Sequence, residues 1–91
     1  MNIRQIKLDL TVKMMNLGNS SNVLQSITET MSNFKEEVGN FIDTVLTGDM
    51  GLDQHIVKRT YTVRFERCTL NIDLVENQKT QLQYVNGFSL N

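Results

Sequence analysis

His55 and Cys68 are the only histidine and the only cysteine in 91 residues, and together they are the one combination in the chain that could supply a base and a nucleophile. In such a pair the imidazole takes the thiol proton and a carboxylate orients the ring, a part that Asp49 or Asp53 could play. The surrounding pattern points to a plainer role. Cys68 has the parity of an inward-facing strand residue and His55 opens a strand, so a buried inert thiol and a surface imidazole are expected. Asp49 and Asp53 flank Gly51 without the ligand series of a calcium loop and read as turn residues. One cysteine and one histidine can form neither an internal disulfide nor a zinc site of the usual Cys and His type. Asn19-Ser20-Ser21 spells a glycosylation sequon, a chance match among ten asparagines. No catalytic, cofactor-binding or metal-ligating residue is expected, and no cofactor.

The second chemistry on offer is electrostatic. Lys7, Lys13, Lys58 and Arg64 fall, by alternation, on the outer face of an expected sheet, beside Asp9 and Glu66. A basic sheet face can track phosphates, which makes a small nucleic-acid-binding module the alternative function. Recognition of single strands also uses aromatic platforms on that face, yet all six aromatic residues belong to the sets assigned to the core. Arg59 differs, because it shares parity with Val57 and Tyr61. It is expected to snorkel from the end of the sheet or to meet a partner's carboxylate. Charge is uneven along the chain: residues 1–17 sum to +2, residues 18–50 to −4 and the rest to +1, for a net −1.

The elements that must hold these residues follow from hydrophobic periodicity. Leu24, Ile27, Met31, Phe34, Val38, Phe41 and Val45 recur at alternating spacings of three and four, which predicts one long helix over 22–46. Ser20, Ser21 and Asn22 are all competent N-caps, with Gln25 placed to return a bond to Asn22, and Gly48 is the expected C-terminal glycine. Its interior is poor in helix formers, so packing must hold it. A coiled coil would want charge pairs flanking the stripe, which are missing, so the stripe is expected to lie on a sheet, with Phe34 and Phe41 covering the strands.

Ile6, Leu8, Leu10, Val12 and Met14 alternate with polar residues and predict a half-buried first strand. After a loop over 48–54, Val57, Tyr61, Val63 and Phe65 share one face, and then the parity switches to Cys68, Leu70, Ile72 and Leu74. A two-residue turn at Glu66 and Arg67 accounts for the switch and would set Val63 opposite Leu70 and Tyr61 opposite Ile72; a bulge in one long bent strand is the alternative, since Glu-Arg lacks the usual turn glycine. A polar turn at 76–79 leads to a last run holding Leu82, Tyr84, Phe88 and Leu90; Asn86-Gly87 spells a hairpin turn, but a turn there would set Gln83 and Leu90 on one face, so one strand kinked at Gly87 is the favoured reading and the hairpin the alternative. The expected fold class is α+β over one domain, 1–91: a β-α-β-β-β order with one long helix across a four-stranded antiparallel sheet.

That layout resembles the cystatin arrangement, and Gln83-Tyr84-Val85-Asn86-Gly87 matches the family's Gln-x-Val-x-Gly pattern. The family carries the motif in the loop between the first two strands after its helix, whereas here it falls in the last strand. Protease inhibition is what the resemblance implies.

Apolar content of 40 % and charged content of 21 % suit a folded domain that needs no disulfide. No run approaches a membrane span, and Arg4, Lys7 and Asp9 interrupt any signal-peptide block, so a soluble protein, cytoplasmic or virion-associated, is expected. The absence of alanine and proline, beside ten asparagines, suggests an AT-rich genome such as that of a phage or mobile element. With little chemistry to place and no proline to block the outer strands, the expected function is a non-enzymatic structural subunit. Its partner would be protein, namely copies of itself joined through edge strands as a homo-oligomer, with no small-molecule substrate.

Overall fold

The computed structural model describes residues 2–91. Three helices come first, α1 (Ile3–Leu17), α2 (Val23–Ser32) and α3 (Lys35–Val38), followed by β1 (Phe41–Gly51), β2 (Ile56–Phe65), β3 (Thr69–Asn77) and β4 (Leu82–Leu90). The strands form one antiparallel sheet in the order β1-β2-β3-β4. The α+β class and the four-stranded antiparallel sheet are as expected; the order of elements is not.

The expected first strand is helix α1. Its residues carry two periods at once: Ile6, Leu8, Leu10, Val12 and Met14 alternate, but Ile3, Ile6, Leu10, Met14 and Leu17 also recur at three and four. The helical stripe is the one that packs, with Ile6 and Leu10 fully buried and Ile3, Met14 and Leu17 against the core. Leu8, Val12 and Met15 fall on the opposite side and stay exposed. Local chemistry favours this outcome. The Asn2 side chain accepts a hydrogen bond from the Gln5 N–H at 3.1 Å and caps the first turn, Arg, Lys, Gln, Leu and Met are good helix formers, and Gly18 ends the helix at a φ of +53°.

The expected long helix over 22–46 is three elements. Val23, Ile27 and Met31 bury one side of α2, a tight turn at Asn33 and Phe34 interrupts it, and α3 ends where the Gly39 N–H bonds the Lys35 carbonyl at 2.8 Å. Gly39 has a φ of +82°, which only glycine adopts without strain. Past it, Phe41, Ile42, Thr44, Val45 and Thr47 supply the aromatic and β-branched run that suits a strand. Asn22 does sit at the N-cap of α2, though without a side-chain cap bond. Gly48 is a strand residue, packed on Thr60.

The second half follows expectation closely. The Phe65 N–H bonds the Cys68 carbonyl at 2.9 Å around Glu66 and Arg67, and Val63 faces Leu70 while Tyr61 faces Ile72. In β4 the register slips between Val85 and Gly87, so Asn86 is the extra residue of a bulge and the strand continues through the kink.

The core lies between the helices and one face of β2, β3 and β4, with Leu70, Ile72, Leu74, Val63 and Leu90 under Ile6, Leu10, Ile27, Met31 and Val38. α1 and α2 both rest on β4, whereas among the described residues β1 has extensive contact with β2 alone. The helical layer therefore covers three strands of four. No helix among the described residues is long and apolar enough to cross a membrane.

Candidate functional site

His55 and Cys68 cannot work as a pair. They flank opposite ends of β2, whose ten residues span roughly 33 Å at strand spacing. Burial pushes the Cys68 thiol above its ordinary range, so it is held as the unreactive thiol. His55 and Asp53 lie exposed in the β1–β2 connection, where the Asp53 side chain accepts the Gln54 N–H at 2.6 Å as a turn residue does. Asp49 lies in β1. No group of three acidic, histidine or cysteine residues arranged to hold a metal occurs among the described residues. An open hollow of about 410 Å³ between α1 and β4 is lined by Thr11, Met14, Met15, Gly18 and Tyr84 to Phe88. It offers no carboxylate, imidazole or thiol.

The basic residues do not form one face. Lys7 and Lys13 were expected on the sheet because 6–14 alternates; they are on α1, across the molecule's other layer. Lys58 and Arg64 do share the outer sheet face, by register with Val75 and Thr69. Arg64 is already occupied: its guanidinium forks onto both Asp43 oxygens, with Nε to Oδ1 at 2.6 Å. The bond holds the Asp43 carboxyl below the usual carboxylate range and raises Arg64 in turn. Arg59 meets carboxylates of its own chain, donating to Glu76 at 2.9 Å and lying 3.7 Å from Asp49. The Gln83–Gly87 segment is likewise strand and not an exposed loop, and Gln83 is paired with Ser20 in both directions, at 2.9 and 2.7 Å. The cystatin-like pattern therefore has no loop to act from.

What the structure assembles instead is an open strand. Phe41, Ile42, Val45, Leu46, Met50 and Leu52 lie on β1 or just past it, each between 41 and 55 % exposed. By register Phe41, Thr44 and Leu46 stand on the helix side with Phe65, Val63 and Tyr61, while Asp43, Val45 and Met50 stand on the outer side with Arg64, Thr62 and Lys58. Phe41 packs edge to face on Phe65, with ring centroids 5.8 Å apart. Periodicity alone hides this surface, because the spacing of three and four carries Phe41 and Val45 on as the buried continuation of a helix. The signal that could have found it is Gly39-Asn40 followed at once by aromatic and β-branched residues.

Edges are commonly protected by proline, lysine, shortness or bulges. β1 has eleven residues, no proline and no lysine. Its two acids face arginines of β2, so it presents little net charge. Its one protective device is a pair of bulges, at Ile42 and at Thr47. β4 is better guarded, by the Ser20 bridge and the Asn86 bulge.

Comparison of the chain with protein-family models, with curated proteins and with solved structures finds no significant match.

Proposed function

We propose that this protein is a non-enzymatic assembly module that associates with copies of itself through β1. The observation that carries the reading is the row of half-exposed apolar side chains on an unpaired edge strand. Apolar patches of this kind favour protein contact, and an unpaired edge supplies a ready ladder of backbone donors and acceptors. The same composition that suggests an AT-rich genome supports a structural component of a phage or mobile element as the setting.

Light scattering on the purified chain tests it. The mass is expected to rise above 10.5 kDa as concentration goes from micromolar to millimolar. A flat monomer mass across that range overturns the reading.

A further inference from the structure

We propose that β1 pairs antiparallel with β1 of a second copy about a two-fold axis through Val45, and that the assembly closes as a dimer. The inference rests on the self-association reading above and adds its geometry and stoichiometry.

The direction of the backbone bonds sets the register. The Phe65 N–H bonds Cys68 in the β3 direction at 2.9 Å, and the Glu66 N–H bonds Asn40 in the β1 direction at 3.0 Å. Alternation in antiparallel ladders then turns the odd-numbered residues of β2 toward β3 and the even-numbered ones toward β1. Thr44 and Leu46 sit opposite Val63 and Tyr61, both odd, so their own N–H and C=O groups point away from β2. Between the bulges at Ile42 and Thr47, these two residues hold the free ladder groups. An axis through Val45 sets Thr44 of one copy against Leu46 of the other, twice over, and engages all of them. It also pairs like with like, since both residues stand on the helix side.

Phe41, Ile42, Val45 and Leu46, each about half exposed, flank this axis and offer on the order of 350 Å² per copy. With the strand edges, two copies reach roughly 800 to 1,000 Å², the size of a small, reversible contact. A two-fold contact uses the same patch on both copies and leaves nothing to propagate. Growth through the far edge of the sheet is opposed by the Ser20–Gln83 bridge.

The test combines crosslinking with mass. V45C would bring two thiols face to face at the axis in a non-hydrogen-bonded pair, with Cα atoms about 4.5 Å apart, within disulfide range. Mild oxidation is expected to give a covalent dimer for V45C and none for M50C, whose positions on the two copies lie far from the axis. V45K, on a half-exposed position that tolerates it, is expected to keep the circular dichroism of the parent and weaken association by about tenfold or more, because like charges then meet at the axis. Association that V45K leaves unchanged, equal crosslinking of V45C and M50C, or masses that climb past twice the monomer each overturn the geometry while leaving self-association standing. A monomer at every concentration overturns both.

Discussion

β1 and β3 carry similar side chains and live in opposite surroundings. β3 has Leu70, Ile72, Leu74 and Val75, all buried; β1 has Phe41, Ile42, Val45 and Leu46, none buried. Neither composition nor intrinsic preference for strand separates them. Position in the sheet does: β3 is flanked by strands on both sides and roofed by helices, whereas β1 is an edge without extensive contact to α1 or α2. An apolar strand thus states that something must cover it, and the fold decides whether the cover comes from its own chain.

The sharpest way to break that contrast is to truncate one residue from each strand. Ile72→Ala removes a fully buried side chain and is expected to cost about 2–5 kcal/mol of folding stability, because the lost transfer energy and the cavity add. Leu46→Ala, measured by denaturant unfolding at a concentration where the chain is monomeric, is expected to stay within about 0.5 kcal/mol of the parent. Equal losses at the two sites would mean that β1 is covered within the monomer after all.

The β2–β3 hairpin was legible in the sequence because a period of two, a parity switch and a short connection all agree there. Its turn lacked the expected glycine for a reason visible only in three dimensions. Arg67 donates to the carbonyls of Glu37 and Glu36 at 3.0 and 2.8 Å, and Glu66 accepts the Asn40 N–H at 2.6 Å. The two residues fasten the end of α3, a task for which Asn-Gly would offer neither a guanidinium nor a carboxylate. The first half misled because its residues satisfy two periods. In 6–14 both a strand and a helix bury a consistent face, and only packing chooses. In 22–46 the spacing of three and four runs on through Phe41 and Val45, while the break is marked by Gly39, a single residue that propensity treats as a weakness rather than an end. The open edge could not be read for the same reason: periodicity locates apolar faces, and their covering is a property of the whole fold.

Gly39 and Gly51 contrast in the same way: at Gly51 a Cβ would meet nothing within 4 Å. At Gly39 an added Cβ would lie 2.6 Å from the Glu66 Cβ, at a φ that disfavours any side chain. Gly39→Ala is expected to destabilise by about 1–3 kcal/mol from backbone strain alone, with the clash in addition, and Gly51→Ala by much less. Pairing Gly39→Ala with Glu66→Gly sharpens the assignment. If the collision contributes, the double variant loses less than the sum of the singles in denaturant unfolding, and strict additivity would leave strain as the whole cause.

The smallest effect concerns the charge that keeps β1 fit for a partner. Asp43 is held below the ordinary carboxylate range chiefly by its hydrogen bonds to Arg64, with the arginine's charge acting in the same direction and partial desolvation opposing it. A carboxyl whose folded pKa is depressed adds stability that is present above its unfolded pKa and is lost as pH falls through the folded value. The gain here belongs to a pair open to solvent and is correspondingly modest, so the carboxyl titration itself is the better readout. By NMR the Asp43 midpoint is expected below the ordinary range in the parent and back within it in Arg64→Gln. An unmoved midpoint would show that Arg64 does not neutralise Asp43, and the edge would then carry a free negative charge close to the strand centre, a feature that deters a second strand from adding.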